Sequence, residues 1–86
     1  MKFRDERPLA NLDTAVRKLL EIAHIMQSDH ADRLHIGMIN QVFLDAGASV
    51  PEYTAALTAA IDRGYLTLHP SGAYVTFTQA GADLFA

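Results

Sequence analysis

Apolar residues recur at helical spacing through the first third of the chain. From about Leu9 to Ser28, Leu12, Ala15, Val16, Leu19, Leu20, Ile22, Ala23 and Met26 fall on one broad face. Asp13, Thr14, Arg17, Lys18, Glu21 and His24 fall on the other, so a long amphipathic helix is predicted. A stripe this wide packs on two neighbours, or on one neighbour and a second copy of the chain. Ile25 lies off the arc, towards the polar side. With Leu12, Leu19, Ile22 and Met26 it forms a candidate dimer contact, set against the plainer reading of a solitary exposed apolar residue. Gln27 to Arg33 reads as a polar loop in which Asp29 or Asp32 caps the next element. Leu34-His35-Ile36 reads as a short strand, and Gly37 to Ala46 as a second helix burying Met38, Ile39, Val42 and Phe43, with Leu44 flanking. Gly47 ends that helix.

The best-punctuated stretch is Ser49 to Leu66. Ser49 and Glu52 stand at capping-box spacing, and Pro51 occupies the first turn, where a missing N–H costs nothing. The helix begins at Val50 or Pro51, because a proline biases its predecessor away from helical angles. Tyr53, Leu57, Ala60 and Ile61 form its apolar stripe, and Gly64 provides the left-handed stop. The period then changes to alternation. Leu66 and Leu68 share one face with Ala73, Val75 and Phe77, while Tyr65, Thr67, His69, Tyr74 and Thr76 take the other. Pro70-Ser71-Gly72 is the turn between them. A two-stranded hairpin is unstable alone, so this one must lie on the helices. Tyr65 and Tyr74 read either as a cross-strand pair that stiffens the hairpin or as an exposed patch for a protein partner. Thr78 caps a last helical segment, Gln79 to Phe85. The expected fold is α+β, mainly α: one domain over residues 9–86, preceded by a charged arm over residues 1–8.

Composition narrows the function classes. Half of the 86 residues are hydrophobic, so the chain folds, but its core is modest and an oligomer would help to stabilise it. A formal charge of −3 argues against a general polyanion-binding surface. The absence of cysteine excludes a disulfide framework, thiolate catalysis and thiolate-bound metal. The start, MKFRDERPLANLD, lacks the apolar core of a secretory signal, and no apolar run reaches membrane-spanning length, so a cytoplasmic protein is expected.

Helix, short strand, helix, turn, helix, hairpin and terminal helical piece is an order that resembles the winged helix-turn-helix superfamily, in particular its small bacterial regulators. The residues that carry the likeness are Leu57, Ala60 and Ile61, then the string Arg63-Gly64-Tyr65-Leu66, then Thr78 with Gly81. The resemblance implies a three-helix core with a two-stranded wing and a short C-terminal helical segment. It also implies a third helix in the major groove of double-stranded DNA and a hairpin on the flanking backbone or minor groove. On this chain the DNA-contacting positions would be Glu52, Thr54, Ala55, Thr58, Ala59 and Arg63, with His69 and Ser71 at the wing. Lys2, Arg4 and Arg7 would reach DNA from the arm, and a homodimer through the first helix would present two such surfaces.

The residue types on that helix point elsewhere. Alanine and threonine touch thymine methyls and a carboxylate accepts from cytosine, but no outward Arg or Lys stands on the central turns to read guanine. Phosphate neutralisation would fall to Lys2, Arg4, Arg7, Arg17, Lys18, Arg33 and Arg63, which are scattered along the chain. A protein–protein interaction module, with Ala55, Thr58 and Ala59 packed closely on a partner, fits the charge pattern better, but the resemblance keeps a DNA-binding transcriptional regulator acting as a dimer as the expected function and the module as its alternative. No metal site, cofactor or catalytic residue is assigned. Glu21-x-x-His24 has metal-ligand spacing but no second copy, and His30, His35 and His69 read as surface or loop histidines. Ser28, Ser49 and Ser71 sit in cap, loop or turn settings with no base beside them in sequence.

Overall fold

A computed structural model describes residues 8–30 and 33–85. Lys2, Arg4 and Arg7 of the expected arm lie outside the described residues, as do Asp32 and the side chain of Asp29. A 3₁₀ turn, Pro8–Ala10, opens the described chain, followed by α1, Leu12–His30. The helix starts three residues later than its apolar pattern suggests because Asn11 caps it. The Asn11 side-chain oxygen accepts from the Thr14 N–H at 3.0 Å, and its carbonyl accepts from Ala15 at 2.9 Å.

The order continues β1 (Leu34–His35), α2 (Ile36–Asp45), α3 (Val50–Asp62), β2 (Leu66–Leu68), β3 (Tyr74–Phe77) and α4 (Gln79–Asp83). The class is α+β, mainly helical, with one antiparallel sheet of strand order β1-β3-β2. The two-stranded hairpin β2–β3 thus gains a third strand, β1, on its β3 side. β1 pairs with β3 in the register Leu34↔Val75 and His35↔Tyr74, while β2 pairs with it as Leu66↔Phe77, Thr67↔Thr76 and Leu68↔Val75. Leu34, Leu66 and Val75 are buried on the sheet's inner face.

The core gathers Ala15, Val16, Leu19, Leu20, Ile22 and Ala23 of α1 against Ile39 and Phe43 of α2 and Tyr53, Ala56 and Ala60 of α3. Met38 and Val42, expected inward, are exposed. They form a second row about 100° around α2 from Ile39 and Phe43, and it is the Ile39–Phe43 row that joins the core where α2 packs on α1, α3 and β1. On α3 the fully buried row is Tyr53, Ala56 and Ala60, whereas Leu57 and Ile61 pack half-buried on its margin. Ala56 takes the central place because small side chains let α1 and α3 approach closely.

The register also separates the two hairpin tyrosines. Tyr74 lies beside His69, whose N–H donates to its carbonyl at 2.9 Å, while the Tyr65 carbonyl accepts from Thr78 at 3.1 Å. Ala73 precedes the paired strand and is exposed, and Leu68, at the open end of β2, is exposed as well. Thr78 caps α4, its Oγ1 accepting from the Gly81 N–H at 3.0 Å. The helix stops at Asp83, short of Phe85, whose ring stacks on His24 at 4.4 Å.

Candidate functional site

The start of α3 is set by reciprocal local bonds. The Ser49 N–H donates to Glu52 Oε1 at 2.8 Å, and the Glu52 N–H donates to Ser49 Oγ at 3.3 Å. Its end is set by Gly64 at φ 81°, a left-handed conformation that side chains disfavour, with Gly64 N–H bonded to Ile61 O at 3.0 Å. Its rear is anchored by Tyr53, whose hydroxyl donates to the Ile36 carbonyl at 3.0 Å. Burial pushes the Tyr53 hydroxyl up from 10.0 to about 12, because the phenolate would lose its water.

These constraints turn Thr54, Ala55, Thr58 and Asp62 outward, with Ala59 half-buried beside them. Together with Leu12, Val50 and Pro51 they line an open depression of about 670 Å³. Val50 is 59 % exposed and Leu12 42 %, so two large apolar side chains flank the small ones. A smaller hollow continues it past Glu52 to Leu9 and Ala10, sharing Leu12, Pro51 and Ala55. Of the positions expected on the third helix, the structure therefore brings Thr54, Ala55, Thr58 and Ala59 into one groove, with Glu52 on its extension.

Arg63 is not part of that groove. Its guanidinium meets Asp13 of α1 at 2.9 Å. His69 and Ser71 belong to the β2–β3 turn, where His69 Nδ1 accepts from the Ser71 N–H at 3.1 Å and the His69 ring stacks on Tyr74 at 4.3 Å. Arg33 stands 5.4 Å from the centre of the same tyrosine ring, and His35 lies edge-on to it at 6.1 Å.

The expected dimer contact is divided in a similar way. Leu19 and Ile22 are buried in the chain's own core, which removes them from any surface contact. Ile25 remains 66 % exposed, Met26 is half-buried, and Leu12 belongs to the groove. Helical periodicity does not place Leu12 beside α3, because that contact joins separate elements. Val50 reads in the sequence as no more than the residue after a cap, although its position one turn before Thr54 is a signal that puts it on the same face.

A second depression, of about 730 Å³, lies along the charged face of α1 between Leu9 and Gly47. Its lining mixes the cations Arg17 and Lys18 with the carboxylates Asp13 and Glu21, among them the Arg17–Glu21 pair at 3.3 Å, so among the described residues it offers no net charge. No helix among the described residues is long and apolar enough to cross a membrane. Comparison with protein-family models, with curated proteins and with solved structures found no match.

Proposed function

We propose that this chain is a winged-helix domain acting as a protein–protein interaction module, with a partner seated on the outer face of α3. The order of helices and the strand β1 laid beside the hairpin support the winged-helix reading. The single observation that carries the function is the groove itself. Among the described residues its lining holds apolar and hydroxylic side chains, two carboxylates along its length, and no lysine, arginine or histidine. A duplex reader needs cations there to release counterions and to bond guanine. An interface core favours a surface depleted of charge at its centre. Thr58→Arg tests this by placing a long cation on an exposed position. It should abolish a partner complex isolated with the unmodified chain while the melting temperature stays within a few degrees; an unaffected complex overturns the proposal.

The alternative reading, a DNA-binding regulator acting as a dimer, draws on the cluster of Arg33, His35 and His69 around Tyr74 on the sheet. Titrating a random duplex at low and moderate salt separates the two. The docking reading expects no measurable affinity at either salt. Binding that falls steeply with salt, and weakens in Arg33→Ala, would transfer the function to DNA. Sedimentation of a concentrated sample tests the dimer, and a species that stays monomeric removes α1 as an interface.

A further inference from the structure

The groove also constrains its occupant. Its floor runs beside α3, whose 13 residues span about 20 Å, a length matched by three to four turns of another helix. Ala55 and Ala59 stand one turn apart and present no bulk, so a second helix can approach closely between Leu12 and Val50. Among the described residues both ionisable groups in the lining are acidic. Glu52 sits at the N-terminal end and Asp62 at the C-terminal end, while the nearby Arg63 is engaged by Asp13. The last turn of α3 contains no basic residue, so the negative end of its dipole adds to Asp62.

Resting on the docking reading above, we infer that the groove takes an amphipathic helix of a partner protein with an apolar face and basic flanks, lying antiparallel to α3. The apolar face meets Leu12, Val50 and Ala55. A lysine or arginine near the partner's N-terminus meets Asp62, where the positive end of the partner's own dipole also belongs. The charges select and orient the partner more than they hold it, since rim charges act mainly on encounter and specificity.

The test uses the full chain and two synthetic helical peptides of about 18 residues with the same leucine–alanine face, one carrying lysine at its polar positions and one carrying glutamate. Fluorescence anisotropy at low salt should give the lysine peptide at least about tenfold the affinity of the glutamate peptide. Asp62→Lys should erase most of that difference, and Thr58→Arg should abolish binding of the lysine peptide. Equal affinities for the two peptides would overturn the basic-helix inference and leave the docking reading standing. Binding by neither peptide, or binding indifferent to Thr58→Arg, would overturn both. A dimer in sedimentation that Thr58→Arg dissociates would replace the heterologous helix with a second copy of the chain.

Discussion

Gly81 shows how one missing atom can hold a corner of this fold. A Cβ there would run into the Tyr65 carbonyl oxygen and lie 2.9 Å from Phe77 Cδ1. The carbonyl cannot retreat cheaply, because it accepts the Thr78 N–H that closes the sheet onto α4. The helix-propensity gain of alanine, about 1 kcal/mol, is therefore outweighed by overpacking. Gly81→Ala should lower stability by about 2 kcal/mol in urea denaturation. Gly37→Ala is the control: its Cβ meets nothing within 4 Å, and the variant should gain about 0.5–1 kcal/mol. Tyr53 gives a second prediction at this scale. Its folded pKa, about 12, lies above the ordinary 10.0, so both states keep the proton below pH 10 and stability is flat there. Between 10.0 and about 12 the unfolded chain releases the proton and the folded one does not, so stability falls as pH rises. The slope is at most about 1.4 kcal/mol per pH unit. Tyr53→Phe should remove that part of the alkaline decline while costing about 1 kcal/mol near neutrality for the lost bond to Ile36. An identical alkaline profile in the variant would contradict the assignment. The Thr78–Gly81 spacing was legible in the sequence as a capped exit. The reason for glycine was not, because Tyr65 reaches it only through the fold.

Among the elements, α3 was the most legible because its signals are local. Ser49, Pro51, Glu52 and Gly64 each act on backbone groups a few residues away, and the helix begins and ends where they place it. Ser49→Ala should therefore cost about 1 kcal/mol, and Glu52→Ala less, in equilibrium unfolding. A double variant equal to Ser49→Ala alone would mean that the two caps act as one unit. Elements defined by distant partners were less legible. β1 was legible as a short strand at Leu34-His35-Ile36, but its partner was not, because Tyr74 and Val75, which pair with it, come from the far end of the chain. On α2 the apolar pattern contained two rows, and which one turned inward depended on the neighbour it would meet. The groove shows the same division. Its Ala/Thr wall could be read from α3 alone, whereas the contribution of Leu12 and the loss of Arg63 to Asp13 both arise from how α1 crosses α3.

For the molecule as a whole, β1 is the junction between helices and hairpin. Leu34 is fully buried, pairs with Val75, and lies in a strand packed on both α1 and α2. This packing would make the hairpin part of the same cooperative unit as the groove-bearing helices, so the proposed partner would meet a face already built and little ordering cost would oppose binding. If that is so, trimming Leu34 should weaken the entire chain, and the loss should not stay within the sheet. Leu34→Ala should cost about 2–5 kcal/mol, a large part of the roughly 5–15 kcal/mol typical of a small domain. Leu68→Ala, on the same sheet face but exposed at its open end, should cost under about 1 kcal/mol. Far-UV circular dichroism and amide exchange at Val75 and Ala60 should report one shared transition for Leu34→Ala. Loss of protection at Val75 with Ala60 unchanged would mean that the hairpin melts separately from α1 and α3, and the groove would then owe nothing to the strands beside it.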